Sequence, residues 1–125
     1  MEERKLLVPQ VYKHFKDKLY CTMGVSMPVQ SCRGKHIQWC GIKILYVQHT
    51  EKEEPVGIIL DKKSGNCFHF EQDEADELVL YRSLYDSTGI YARPKKMFLS
   101  PVDKDKYPNA KQYWRMEEYN DKEEF

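Results

Sequence analysis

The sequence predicts an all-β domain with little helix, a small barrel or sandwich. Three observations carry this. Residues 19–27 alternate apolar and polar side chains with a strict period of two. Several other short runs are rich in β-branched, aromatic and large apolar residues and are separated by turn-forming stretches. Nowhere do strand-like and helix-like segments alternate as a βαβ fold requires.

In chain order, residues 9–15 form a short strand, and Lys16-Asp17-Lys18 the turn after it. In residues 19–27, Leu19, Cys21, Met23, Val25 and Met27 are expected to face the core, with Cys21 a small core side chain. Residues 28–35 are polar and read as a loop. A strand around residues 42–47 is apolar on both faces near its end, which places it centrally in a sheet. Residues 50–55 form a solvated loop. Residues 56–60 and 67–70 make a hairpin through a turn-rich segment, with Phe68 and Phe70 on one face and Cys67 and His69 on the other. The acidic run Glu71, Asp73, Glu74, Asp76 and Glu77 is expected as a solvated loop, since it lacks the glycine-bearing turn of a hard-cation site.

Residues 77–102 hold the densest aromatic and basic content and organise the rest. Residues 78–85 form a strand, Asp86-Ser87-Thr88-Gly89 a tight turn with Gly in a left-handed position, and Pro94 ends the returning strand. With Asp86 opposite Ile90, Leu78, Leu80, Leu84, Ile90 and Ala92 share one face, a core face. Tyr81, Ser83, Tyr85, Tyr91 and Arg93 share the other. Arg82 lies at the rim of the core face with its guanidinium in water. A tyrosine–arginine face is either a binding surface or the floor of a second core layer. Residues 95–99 make one helical turn, with Met97 and Phe98 plugging the open end of the sheet, and Pro101 prevents a longer helix. Residues 109–119 are a short helix or an extended arm, and residues 120–125 fray.

The 125 residues make one domain, with 41% hydrophobic and 32% charged residues. Twenty basic and twenty acidic side chains give zero formal charge, which removes the electrostatic argument for nucleic acid or anionic membranes. No segment resembles a signal peptide or a membrane span, so a cytoplasmic location and reduced thiols are expected. The best metal candidates are Cys32-x3-His36-x3-Cys40 with Cys67-x-His69. Their spacing departs from paired zinc knuckles, and loop residues with buried thiols are the simpler reading. No nucleophile motif and no phosphate-binding glycine loop occurs. His14 is a general-base candidate whose usual role on a strand is structural. No cofactor and no catalytic residue is expected.

Three blocks resemble the bacterial family catalogued as domain of unknown function 1653. They are Val11-Tyr12-Lys13-His14-Phe15-Lys16-Asp17-Lys18-Leu19-Tyr20, then His49-Thr50-Glu51, and Glu77-Leu78-Val79-Leu80-Tyr81 continuing through Leu84-Tyr85-Asp86, Arg93-Pro94 and Met97-Phe98. Asp105-Lys106-Tyr107-Pro108 with Lys111-Gln112 and Tyr113-Trp114-Arg115 is similar to the tail of longer members. The resemblance implies a small SH3-like barrel, elaborated here by an extra hairpin, in a bacterium or a bacterial virus. It divides the single domain 1–125 into family-like parts at 9–27 and 77–102, inserted segments at 28–45 and 52–75, and a C-terminal arm at 103–125. The metal candidates all lie in the inserted parts. The resemblance implies no activity. It assigns Phe15, Leu84 and Phe98 to the core and leaves His14, Tyr85 and Arg93 as the polar motif residues without a core role.

The leading expectation is a non-enzymatic module that holds a protein or peptide through His14, Tyr81, Tyr85, Tyr91 and Arg93. A barrel that binds RNA or single-stranded nucleic acid is the alternative, and a small zinc protein or enzyme the second alternative. A homodimer through an exposed edge or the tyrosine face stays open.

Overall fold

A computed structural model of the chain describes residues 4–29, 42–61, 64–85, 87 and 89–119. The strands are β1 (Val11–His14), β2 (Leu19–Val29), β3 (Ile42–His49), β4 (Val56–Asp61), β5 (Cys67–Phe70), β6 (Leu78–Ser83), β7 (Ile90–Pro94) and β8 (Met116–Glu118), with one short helix, α1 (Lys95–Phe98). Their order is β5-β4-β3-β7-β6-β2-β1-β8, and β5 also pairs with β2. The ring β5-β4-β3-β7-β6-β2 therefore closes, making the small all-β barrel. The β4–β5 hairpin supplies two of its staves.

The closing strand, β2, is long enough to serve two neighbours along one edge. Its first residues pair with β1, Val11 opposite Cys21. Its last pair in parallel with β5, Ser26 opposite Cys67 and Val29 opposite Phe70. Its other edge runs against β6 with a register shift between Thr22 and Gly24. One residue, Met23, is thus left over, and a bulge exchanges which side chains face inward. Before it, Thr22 lies opposite Tyr81; after it, Gly24 lies opposite Leu80 and Ser26 opposite Leu78.

The predicted core face of this strand is accordingly corrected. Met23 is 48% and Met27 45% exposed, and Cys21 is only half-buried, whereas Thr22 and Ser26 are buried. Thr22 is accommodated because its hydroxyl donates to the Leu7 carbonyl and accepts from the Gln10 amide, at 2.8 and 3.0 Å.

Two apolar clusters result. Inside the barrel, Val47, Val56, Ile58, Leu78, Leu80 and Ala92 pack together. Outside it, Tyr12, Val79, Tyr81, Phe98 and Met116 form a second layer. The β6–β7 register places Arg82, not Asp86, opposite Ile90, so the connection is longer than predicted. The offset is even, so Leu78, Leu80, Ile90 and Ala92 keep one face and Tyr81, Ser83, Tyr91 and Arg93 the other, while Leu84 and Tyr85 fall outside the strand. Asp86 and Thr88 lie outside the described residues, and Gly89 has φ 107°, as its turn position requires. Leu84, assigned to the core, is 52% exposed because β6 ends at Ser83.

The chain ends build the second layer. After Pro94, α1 carries the fully buried Phe98 onto Tyr12 and Tyr81, edge-on at 5.1 and 5.4 Å. Phe98 therefore caps the outer face and not the barrel's open end. Residues 109–119 return as an extended arm, and β8 pairs with β1, His14 opposite Met116. Arg4 ties the start of the chain to this arm by donating to the carbonyls of Leu99 and Met116, its guanidinium 4.3 Å above the Trp114 ring.

Since Phe98 is fully buried and packs edge-on against Tyr12 of β1 and Tyr81 of β6, Phe98→Ala should cost about 3–5 kcal/mol in urea unfolding. A loss below about 1 kcal/mol would show that the outer layer packs too loosely to count as a core.

Candidate binding surface

On the outward face of β7, β6, β2 and β1, one ring from each strand joins a row. Centroid distances run 5.9 Å from Tyr91 to Tyr81, 5.4 Å on to Tyr20 and 6.2 Å on to His14. His14 stacks on Phe15 at 4.5 Å, and Phe15 meets Tyr107 at 4.9 Å. The bulge in β2 is what puts Tyr20 in this row, because it gives the two halves of that strand opposite parity. The middle of the row is roofed by Phe98, and Tyr81 is 3% exposed with its phenol pushed up to about 12 by burial. The far end surfaces. Phe15, Lys16, Lys106, Tyr107, Pro108 and Ala110 line a cleft of about 290 Å³. The Lys16 ammonium stands 5.2 Å from the Tyr107 ring centre, and that of Lys106 5.7 Å from the same ring.

Cations gather beside the row. Arg93, opposite Val79, donates from Nε to the Thr50 hydroxyl at 3.2 Å. Its Nη1 is shielded from solvent and has no hydrogen-bond partner among the described residues, and the same holds for Nε of Arg115. An unsatisfied buried donor typically costs about 1–3 kcal/mol, more when charged. His14 lies within electrostatic reach of both guanidinium groups and of Lys16 and Lys18. Burial first, and then these charges with Arg93 foremost, lower its imidazole to about 4. Its Nδ1 accepts from the Lys16 amide at 3.1 Å, so the neutral ring carries its proton on Nε2.

A separate polar network lies on the inward side of the barrel. Nε2 of His69 is 3.0 Å from the carbonyls of both Glu74 and Asp76, which can only accept, so Nδ1 accepts from the Ser26 hydroxyl at 2.7 Å. Likewise Nδ1 of His49 accepts from the Glu51 amide, and its Nε2–H donates to the Glu74 carboxylate at 2.8 Å. Burial alone would raise the Glu74 carboxyl, but the bonds from His49 and the Asp76 amide outweigh it and hold it below its ordinary value. A serine hydroxyl on an imidazole nitrogen invites a nucleophile reading. Here both residues are fully buried and the second nitrogen is committed to backbone carbonyls, so the arrangement satisfies polar groups and admits no substrate.

The acidic run is correspondingly more than a solvated loop. Glu74 and Asp76 brace it, and an Asp76 carboxylate oxygen accepts from the Lys96 amide at the start of α1.

Of the residues expected at a site, Tyr91 and His14 stand half-buried at opposite ends of the row, Arg93 is half-buried on the same face of β7 as Tyr91, Tyr81 is buried in the second layer, and Tyr85 stands apart, 63% exposed in the β6–β7 connection. Cys32, His36 and Cys40 lie outside the described residues. Cys67 is a free, half-buried thiol against the barrel core, and His69 is engaged as above. Among the described residues no group of three metal-ligating side chains converges. Sequence reasoning missed Arg115 and the Phe15–Tyr107 pair: Phe15, assigned to the core, follows the end of β1, is only half-buried and meets Tyr107 at the surface, a contact made only in the fold. The family tail around Asp105-Lys106-Tyr107-Pro108 was the one available signal.

Residues 66–117 match the family described as "Protein of unknown function (DUF1653)", and over that stretch the chain resembles it. The match takes in β5, β6, β7, α1 and the arm as far as β8, and brings no activity with it. Searches of curated proteins and of solved structures return no significant match. No described helix is long and apolar enough to cross a membrane.

His14 should titrate near 4 by NMR, against an ordinary value of 6.5. The folded value lies below the unfolded one. The stability linked to this ring is therefore complete above pH 6.5 and is lost as pH falls toward 4. Arg93→Ala should raise the folded value. A wild-type value of 6 or above would mean that the ring is solvated and the cation cluster does not act on it.

Proposed function

We propose that this protein is a non-enzymatic binding module that holds a protein or peptide partner where the aromatic row reaches the surface. The carrying observation is the cleft at Phe15 and Tyr107. It presents two ring faces and two lysine ammonium groups on a backing already packed against the second core layer. Rings fixed from behind lose little freedom when a partner covers them, which makes aromatic surfaces effective binding sites.

His14, stacked on Phe15, extends this cleft to Tyr20, so the contact surface proposed for a partner runs from Tyr107 to His14, with Tyr91 and Arg93 as a further proposed contact beyond the roofed middle of the row. Tyr81 acts there as a support beneath the surface. Tyr85 offers a further exposed ring on the β6–β7 connection. A cytoplasmic setting accords with the free thiols of Cys21 and Cys67.

The same rings and lysines suit stacking of single-stranded nucleic acid, but a chain of zero formal charge lacks the cation excess that such binding draws on. Selection from a displayed random-peptide library, counter-selected on Tyr107→Ala, separates the readings. Tyr107 sits in a loop outside both cores, so the variant should keep the wild-type Tm. The expected result is a consensus peptide bound at least about tenfold more weakly by the variant, about 1.4 kcal/mol. No consensus, together with binding of a single-stranded RNA whose affinity falls steeply with salt, would overturn the proposal.

A further inference from the structure

We propose that the free edge of β3 joins the same edge of a second copy of this chain, antiparallel and about a twofold axis. The inference is independent of the cleft at Phe15 and Tyr107. β3 pairs with β4 along most of its length, from Ile42 opposite Asp61 to Val47 opposite Val56. On its other side it meets β7 only at its end, Gln48 opposite Tyr91 and His49 opposite Ala92, because β7 begins at Ile90.

Alternation decides which backbone groups this leaves over. The Thr50 N–H donates to the Ala92 carbonyl at 3.0 Å, so Thr50 turns its backbone groups toward β7. Residues two apart along a strand turn the same way, which aims the N–H and C=O of Ile44 and Tyr46 at this edge, before the level at which β7 begins. No described strand pairs with them there. Their side chains share the outward face and are exposed, Ile44 by 42% and Tyr46 by 69%. The Tyr46 ring rests over Gly57 of β4, 3.4 Å from where a Cβ would stand there. Unpaired backbone flanked by exposed apolar side chains is a template for a further strand.

The sheet's other free edge is built differently. β8 has three residues, two of them Glu117 and Glu118, and short length and charge both blunt an edge. β3 has eight residues and one permanent charge, Lys43. A second copy fits this edge. With the axis at Ile44, that residue meets itself and Lys43 lies opposite Leu45 of the partner subunit, so the two lysines are kept apart. The axis gives each copy the strand its wall lacks and closes the assembly at two. Twenty acidic and twenty basic side chains leave no net charge to hold the copies apart. A junction of two strands buries less than the roughly 1,200–2,000 Å² of a stable interface, so the pairing is reversible and depends on concentration.

The test is sedimentation velocity of the full chain over about a hundredfold range of concentration, with amide hydrogen exchange read by NMR at both ends. The sedimentation coefficient should rise toward that of a dimer. The Ile44 and Tyr46 amides should exchange at least about threefold more slowly at the high end. Ile44→Lys and Tyr46→Lys, both on the exposed face, should keep the wild-type Tm and stay monomeric throughout. Tyr107→Ala should dimerise as the wild type does. The amide readout on the wild type decides the matter even if a lysine variant fails to fold.

A wild type that stays monomeric over the whole range overturns the inference. So does a dimer that survives both lysine variants, or one whose Ile44 and Tyr46 amides exchange as fast as in the monomer, since either puts the contact elsewhere. Amides already slow in the dilute monomer mean that the edge is covered within the chain. A monomer whose two amides slow only when the library peptide is added means that the edge takes a peptide strand. Each of these removes the second copy as the occupant.

Discussion

The bulge at Met23 is the constraint from which most of this structure follows. A strand of constant parity gives the same alternate residues to the same face from end to end, because its side chains alternate strictly between two faces. By inserting one unpaired residue, β2 offers Tyr20 and Thr22 to the outer layer and Gly24 and Ser26 to the barrel interior. It can then close the ring against β5 with its last residues while its first residues carry β1, and through β1 the returning arm. Without the change of parity, Met27 would turn inward beside β5 and Ser26 would lose its place against His69.

The outer layer decides what the tyrosines are for. A sheet face bearing Tyr20, Tyr81 and Tyr91 is ambiguous by itself, since the same rings serve a core or a partner. The helical turn after Pro94 and the strand β8 resolve the middle of that face as core by laying Phe98 and Met116 over it. What they leave half-buried is the margin at His14, Phe15 and Tyr107. The proposed binding surface is thus an edge of a packed layer.

The molecule treats its buried polar groups in two different ways. Inside the barrel, His49, His69 and Ser26 find partners for their buried polar atoms within the chain, and Glu74 accepts on both carboxylate oxygens. Along the outer layer, two guanidinium groups each keep a buried donor unmatched among the described residues. Completed networks fix a fold, whereas an unmatched buried donor is a cost that the packing around it offsets.

The sequence by itself determined the elements. The strands β1 to β7, the β4–β5 hairpin, the turn at Lys16–Lys18, the stop at Pro94 and the sorting of residues 78–83 and 90–93 between two faces follow from alternation, turn chemistry and the missing proline donor, all of them local; β8 does not, since residues 109–119 read equally as a short helix or an extended arm. Tertiary structure decided the rest. The alternation in residues 19–27 was read as a single face because a bulge leaves no local mark when the extra residue is an ordinary methionine. Leu84 was read as core because its strand's end is set by pairing with Leu19 and Ile90, not by its own neighbours. The place of Arg93 beside Tyr91 on the tyrosine face is legible in the alternation. The place of Arg115 beside Phe15 is not, since it depends on a chain end crossing back over the sheet. Periodicity reports which residues share a face. Which face is covered, and by what, depends on contacts between residues far apart in the chain.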